Sequence, residues 1–134
     1  MSREIKFRFY SNVDKKMYAV SLLEVGDAEH LCVYGTGEVW DEYLQTTRVQ
    51  RYSDGHVVQF TGLLDKSGKE IYEGDIVDHY ATYGTVIFED GMFTLDKSAK
   101  IHFGYRQPLC YIDTTECEVI GNIYDNQELL KGGK

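Results

Sequence analysis

Four carboxylates stand close together in the stretch Glu70-Ile71-Tyr72-Glu73-Gly74-Asp75-Ile76-Val77-Asp78. Two carboxyl groups facing one cleft can divide acid and base work, one held protonated by its surroundings and the other ionised. That chemistry needs a shared face. A strand from Ile76 sends Asp75 and Val77 to one side and Ile76 and Asp78 to the other, so the carboxylates do not share one. Glu73-Gly74-Asp75 reads instead as a turn. Gly74 supplies a positive φ, and an Asp75 oxygen accepts a nearby backbone N–H. The residues favour a backbone role here over a catalytic one.

A metal site could draw on His79, His102, Cys110 and Cys117. Cys110 and Cys117 have six residues between them, whereas a zinc ligand pair is separated by about two to four. Packing thiols and surface histidines are expected, with no metal and no cofactor. Ser67 precedes Gly68 in a polar turn rather than standing on a nucleophile elbow. Cys110 or Cys117 could meet His102 only through the fold. Gly35–Glu38 (GTGE) lacks the strand–helix setting of a phosphate loop. No catalytic residue is expected. Trp40, Tyr43, Tyr83 and Tyr105 fall in or near loops, where aromatic side chains often anchor partners; core or inter-subunit packing is the favoured reading.

Strands must position all of these. Glu4–Tyr10 (EIKFRFY) alternates Ile5, Phe7 and Phe9 with Lys6 and Arg8, the period of a half-buried strand. The polar SNVDKK then leads into Met17–Val25, and the two predict a hairpin. GDAEH precedes LCVYG. Gly37–Gln45 is ambiguous, because Val39, Trp40, Tyr43 and Leu44 also fit a short helical stripe. His56–Phe60 predicts a strand ending at Thr61-Gly62. Asp65-Lys66-Ser67-Gly68 predicts a hairpin turn with Gly68 at positive φ, and a strand follows from Ile76 to about Tyr80. Thr85–Phe88 and Met92–Leu95 flank Glu89-Asp90-Gly91, the clearest hairpin in the chain. Pro108 bars Lys100–Ile112 from the middle of a sheet. Glu116–Tyr124 predicts a terminal strand with a bulge or close packing at Gly121. One helical turn capped by Asp125 or Asn126 comes next. The structural turn candidates are therefore Gly62, Gly68, Gly74, Asp75, Gly91 and Gly121. Many short strands at hairpin spacing suit a mainly β fold with a small barrel.

Composition agrees. Eleven Tyr and six Phe against a single Pro favour strands over helices. The 134 residues fit one domain, or one with a small appendage. Met1–Tyr10 carries charges where a secretory leader is apolar, and no apolar run approaches the roughly 20 residues of a membrane span. Three cysteines without a leader fit reduced thiols in a cytoplasm. The net charge of −8 is uneven: residues 1–51 carry 7 basic and 8 acidic side chains, and residues 52–134 carry 7 and 14. A nucleic-acid binder usually presents a basic face, and the second part of the chain has the opposite sign.

Three segments carry a resemblance. Arg3–Tyr10 (REIKFRFY) with Lys15–Tyr18 (KKMY), Gln59–Val77 (QFTGLLDKSGKEIYEGDIV) and Glu118–Leu130 (EVIGNIYDNQELL) resemble the YopX family of phage and prophage proteins, with a variable region at Ala19–Val58. Two departures are visible: Phe9-Tyr10-Ser11 where the family usually has Ala-Trp-Asp, and Asn126-Gln127 where it usually has Asn-Pro. The resemblance implies a β-rich N-terminal part over residues 1–58, an SH3-type barrel over 59–130 and a frayed tail over 131–134. It also implies the cytoplasm of a bacterial host, and it supplies no activity. The expected role is a non-enzymatic phage or prophage accessory protein acting by protein–protein contact. A homo-oligomer paired through edge strands is compatible with it. The alternatives are a nucleic-acid-associated module, an acidic imitation of DNA, or a small enzyme using the carboxylates near Asp75.

Overall fold

Turn residues every few positions and β-branched or aromatic runs between them leave no stretch long enough for a regular helix. A computed structural model describes residues 4–25, 31–41, 43, 45–52, 54–97 and 106–130. Among these the strands are β1 Phe7–Ser11, β2 Lys16–Val25, β3 Leu31–Asp41, β4 Thr46–Tyr52, β5 Gly55–Leu64 and β6 Glu70–Tyr72. They continue with β7 Asp75–His79, β8 Thr82–Glu89, β9 Met92–Asp96, β10 Arg106–Pro108 and β11 Cys117–Asn122. The protein is mainly β, with no α-helix among the described residues. The chain forms two compact units, Lys6–Val58 and Gln59–Lys134 with Met1–Ile5.

In the first unit β1 pairs β2, β2 pairs β3 and β3 pairs β4, all antiparallel. The ambiguous Gly37–Gln45 is a strand as far as Asp41, not a helix: Trp40 faces Thr47 across the β3–β4 ladder. The expected alternation of Glu4–Tyr10 also fails at its end, because Phe9, Tyr10 and Ser11 are all buried. Phe9 stacks on Tyr52 with ring centroids 5.2 Å apart, and Tyr52 stacks in turn on Tyr18 at 4.9 Å.

In the second unit the end of β5 pairs β6, and a five-stranded antiparallel sheet runs β10-β9-β8-β7-β11. Pro108 lies in the edge strand β10, where its missing N–H is tolerated. Ile71, Val77, Val86, Leu95, Leu109 and Val119 pack one core on this sheet. Register slips between Val119 and Gly121 in β11, a bulge at the expected place. The sheet is open, and no ladder among the described residues closes it into a barrel. The terminal turn at Gln127–Leu129 is a 3-10 turn, and Asn126 does not cap it by a side-chain bond. The Asn126 Oδ1 instead accepts from Asn122 N–H at 3.2 Å. Residues 131–134 lie outside the described residues.

Candidate functional site

One end of the core face of the five-stranded sheet gathers buried polar side chains around His79. Period two carries β7 from Val77 to His79 and carries the chain of β9 from Leu95 to Lys97. Cys117, which opens β11, is the cross-strand partner of His79. His79, Lys97 and Cys117 are 9%, 6% and 0% exposed, so a cation, an imidazole and a thiol are buried together. The Lys97 Nζ lies 2.8 Å from His79 Nδ1 and donates to the His79 carbonyl at 3.3 Å. Gly84 on β8 makes room: a Cβ there would stand 2.8 Å from Leu95 Cδ1 and 3.0 Å from Lys97 Cγ. The Cys117 thiol donates weakly to the Asp113 carbonyl at 3.9 Å.

Burial and the Lys97 charge hold the His79 imidazole below its ordinary value, against the pull of Asp78 and Glu116. Burial also lowers the Lys97 ammonium. It raises the Cys117 thiol, with Lys97 opposing, the direction opposite to that of an activated cysteine nucleophile.

The turn beside the cluster is strained. Tyr80 and Ala81 connect β7 to β8 at φ 53° and 63°, where a two-residue hairpin normally uses Asn-Gly or Asp-Gly. The Tyr80 ring lies over His79 with centroids 4.4 Å apart. Ala81→Gly should relieve the left-handed strain and raise stability by about 0.5–1 kcal/mol, measured by urea unfolding. A lower midpoint would show that the turn is unstrained.

The carboxylates of Glu70–Asp78 do not assemble. Asp75 is buried and its Oδ2 accepts from Tyr72 N–H at 2.8 Å, while Asp78 lies on the opposite face of β7, across from Glu118 and Tyr83. Glu70 Oε1 accepts from the Tyr72 hydroxyl at 3.3 Å. Glu73 contributes its backbone N–H to the Gln59 carbonyl at 2.9 Å. Gly62, Gly68, Gly74 and Gly91 have φ of 88°, 80°, 88° and 79°. Ser67 is exposed, and its backbone N–H donates to Asp65. Cys110 is exposed, unlike Cys117. Tyr83 lies within β8 and Trp40 within β3, not in loops, while Tyr43 is exposed between β3 and β4. His102, Tyr105 and the Trp40 side chain lie outside the described residues. No group of three or more His, Cys, Asp or Glu suited to a metal ion occurs among the described residues.

The residue that sequence reasoning treated only as part of a turn is Asp65. Its Oδ1 accepts from Ser67 and Lys69 N–H, both at 2.9 Å, and its Oδ2 accepts from Val119 N–H at 2.9 Å. The Lys66 N–H donates to the Cys117 carbonyl at 2.9 Å. The β5–β6 hairpin therefore covers the outer edge of β11.

The YopX family model, described as YopX protein, matches residues 6–131. The chain belongs to the YopX family. It is similar to protein EF1440 from Enterococcus faecalis, with 26% identity and a TM-score of 0.66 over 97% of this chain and 100% of that one. It shares its fold with YopX from Bacillus subtilis, 18% identical, with a TM-score of 0.59 over 94% and 98% of the two chains. No curated protein matches the chain. Neither relative's name carries an activity, so the chemistry of the site rests on its own residues.

Proposed function

We propose that this YopX-family chain is a non-enzymatic accessory protein of a phage or prophage that works in the bacterial cytoplasm by binding another protein. The observation that carries the reading is an exposed apolar group at one end of the five-stranded sheet. Phe88 and Met92, on either side of the β8–β9 turn, are 54% and 43% exposed, and Tyr111 is 77% exposed. Phe88 meets Phe93 edge to face at 5.2 Å. Pro108 pairs with Thr94, so the 3-10 turn Leu109–Tyr111 runs on toward the start of β9 and brings Tyr111 to the same end. Met92 pairs with Glu89 and so belongs to the other face of the hairpin from Phe88 and Phe93; exposed aromatic side chains such as Phe88 and Tyr111 are the usual anchors of a protein partner.

The edges of this sheet offer little room for an added strand. Arg106 on β10 is held by Glu89 at 2.6 Å and Asp96 at 3.5 Å, beside Pro108. Asp65 and Lys66 cover β11. A partner therefore meets side chains rather than the backbone. Nucleic acid fits less well: Lys97 is buried, and Arg106 and Lys66 are paired to Glu89 and Glu118. The phage setting rests on the three segments that resemble YopX proteins. The free thiols of Cys32, Cys110 and Cys117 favour a reducing compartment. We also read residues 59–130 as an SH3-type barrel, completed by the hairpin β5–β6 against β11.

Affinity capture of the tagged chain from host lysate, with and without nuclease, followed by mass spectrometry, tests this. A partner that survives nuclease should be lost at least tenfold in Phe88→Ser with Tyr111→Ser, at an unchanged melting temperature. Capture that vanishes with nuclease would put nucleic acid first. An unchanged yield in the double variant would move the interface elsewhere.

A further inference from the structure

The Lys97–His79 contact has a consequence that reaches beyond partner binding. One hydrogen can lie between Nζ and Nδ1. Either the ammonium donates to a neutral imidazole protonated at Nε2, or an imidazolium donates to a neutral amine. Both arrangements carry a single positive charge. The doubly protonated pair loses its hydrogen bond and places two cations 2.8 Å apart, at side chains that water hardly reaches.

We propose that Lys97 and His79 form an acid-sensitive latch, which holds one positive charge and releases the end of β9 from β7 when a second proton enters.

The surroundings fit that role. Asp78, the neighbouring residue on the other face of β7, and Glu116, in the turn before β11, act on the imidazole by charge alone; both favour its charged form. Cys117 from β11 stays a neutral thiol. β8 contributes Thr82 opposite His79 and the bare Gly84, neither of which carries a charge. Tyr80 covers the ring. The two acids are not strong enough to keep the imidazole at its ordinary 6.5, and it sits lower. Between that lower value and 6.5 the unfolded chain binds more protons than the folded one. Stability is therefore full above 6.5 and falls as pH drops through the window. Lys97, lowered by burial, acts in the same sense in the alkaline range, where stability rises with pH toward 10.5.

The test follows the His79 ring Cε1–H signal by NMR in the full chain across about pH 5 to 8, assigned by its absence in His79→Gln. Urea unfolding is measured over the same range. The wild-type ring should titrate below 6.5. In Lys97→Met the midpoint should move up toward 6.5, and the fall in urea midpoint on acidification should shrink. If Lys97→Met does not fold, Lys97→Gln removes the same charge while keeping a polar end. A wild-type ring titrating at or above 6.5, or a midpoint unmoved by loss of the Lys97 charge, would overturn the latch.

Discussion

Asp65→Ala should destabilise the chain by about 3–5 kcal/mol, a loss of roughly 10–20 °C in melting temperature for a domain of this size. The carboxylate is buried and its two oxygens take three backbone N–H groups. Two of these, from Ser67 and Lys69, are local and shape the hairpin turn. The third comes from Val119, 54 residues away, and it is the costly one to lose. Val119 is in the core of the sheet, where water cannot replace the missing acceptor. Asp65→Asn keeps one carbonyl oxygen but turns an NH₂ toward backbone donors, so it should recover only part of the loss.

The charge matters as well. Burial pushes the Asp65 carboxyl upward, but the N–H groups of Val119, Lys69 and Ser67 outweigh it and hold the group below its ordinary 3.8. Its contribution is complete above 3.8 and is lost as pH falls through the lower folded value. The stability gap between wild type and Asp65→Asn should therefore narrow at acid pH. Urea titrations of both proteins at neutral pH and below 3.8 measure this, and a gap that stays constant would mean that the carboxylate is not ionised in the fold.

Local signals were legible and long-range ones were not. Glu89-Asp90-Gly91 read as a hairpin because Asp90 and Gly91 tolerate positive φ, and they have φ of 54° and 79° between β8 and β9. Strand β4, Thr46–Tyr52, was not anticipated; Arg48, Gln50 and Arg51 interrupt any apolar alternation. The Tyr80-Ala81 turn carries no turn residue at all, so its place could not be read from composition. The burial of Lys97 did leave a trace. Phe93, Leu95 and Lys97 share one period-two face, which places the lysine on the apolar side of its strand. Meeting His79, 18 residues earlier, depends on the register of β7, β8 and β9, which no spacing encodes. Asp65 is similar: its turn was readable, while its bond to Val119 was not.

Gly62 and Gly74 separate two causes of that kind by experiment. Both have a φ of 88°, beyond the region that a residue with a Cβ enters without cost. Around Gly62 no atom lies within 4 Å of an added Cβ, so Gly62→Ala measures the backbone strain alone, about 1–2 kcal/mol. At Gly74 the same Cβ would stand 3.2 Å from Tyr124 Cε2. The backbone there cannot move aside. The Gly74 N–H donates to the Val86 carbonyl at 2.7 Å, and its carbonyl accepts from Ile123 N–H at 2.9 Å. Relaxing φ would break bonds that tie the β6–β7 turn to β8 and to the segment after β11. Gly74→Ala should therefore cost about 2–4 kcal/mol, the strain plus a packing term. Gly74→Val should cost more, since a β-branched side chain is a true outlier at that φ. Urea unfolding of the two alanine variants side by side gives the difference directly. Equal losses would mean that Tyr124 yields freely and that Gly74 is needed only for its backbone angle.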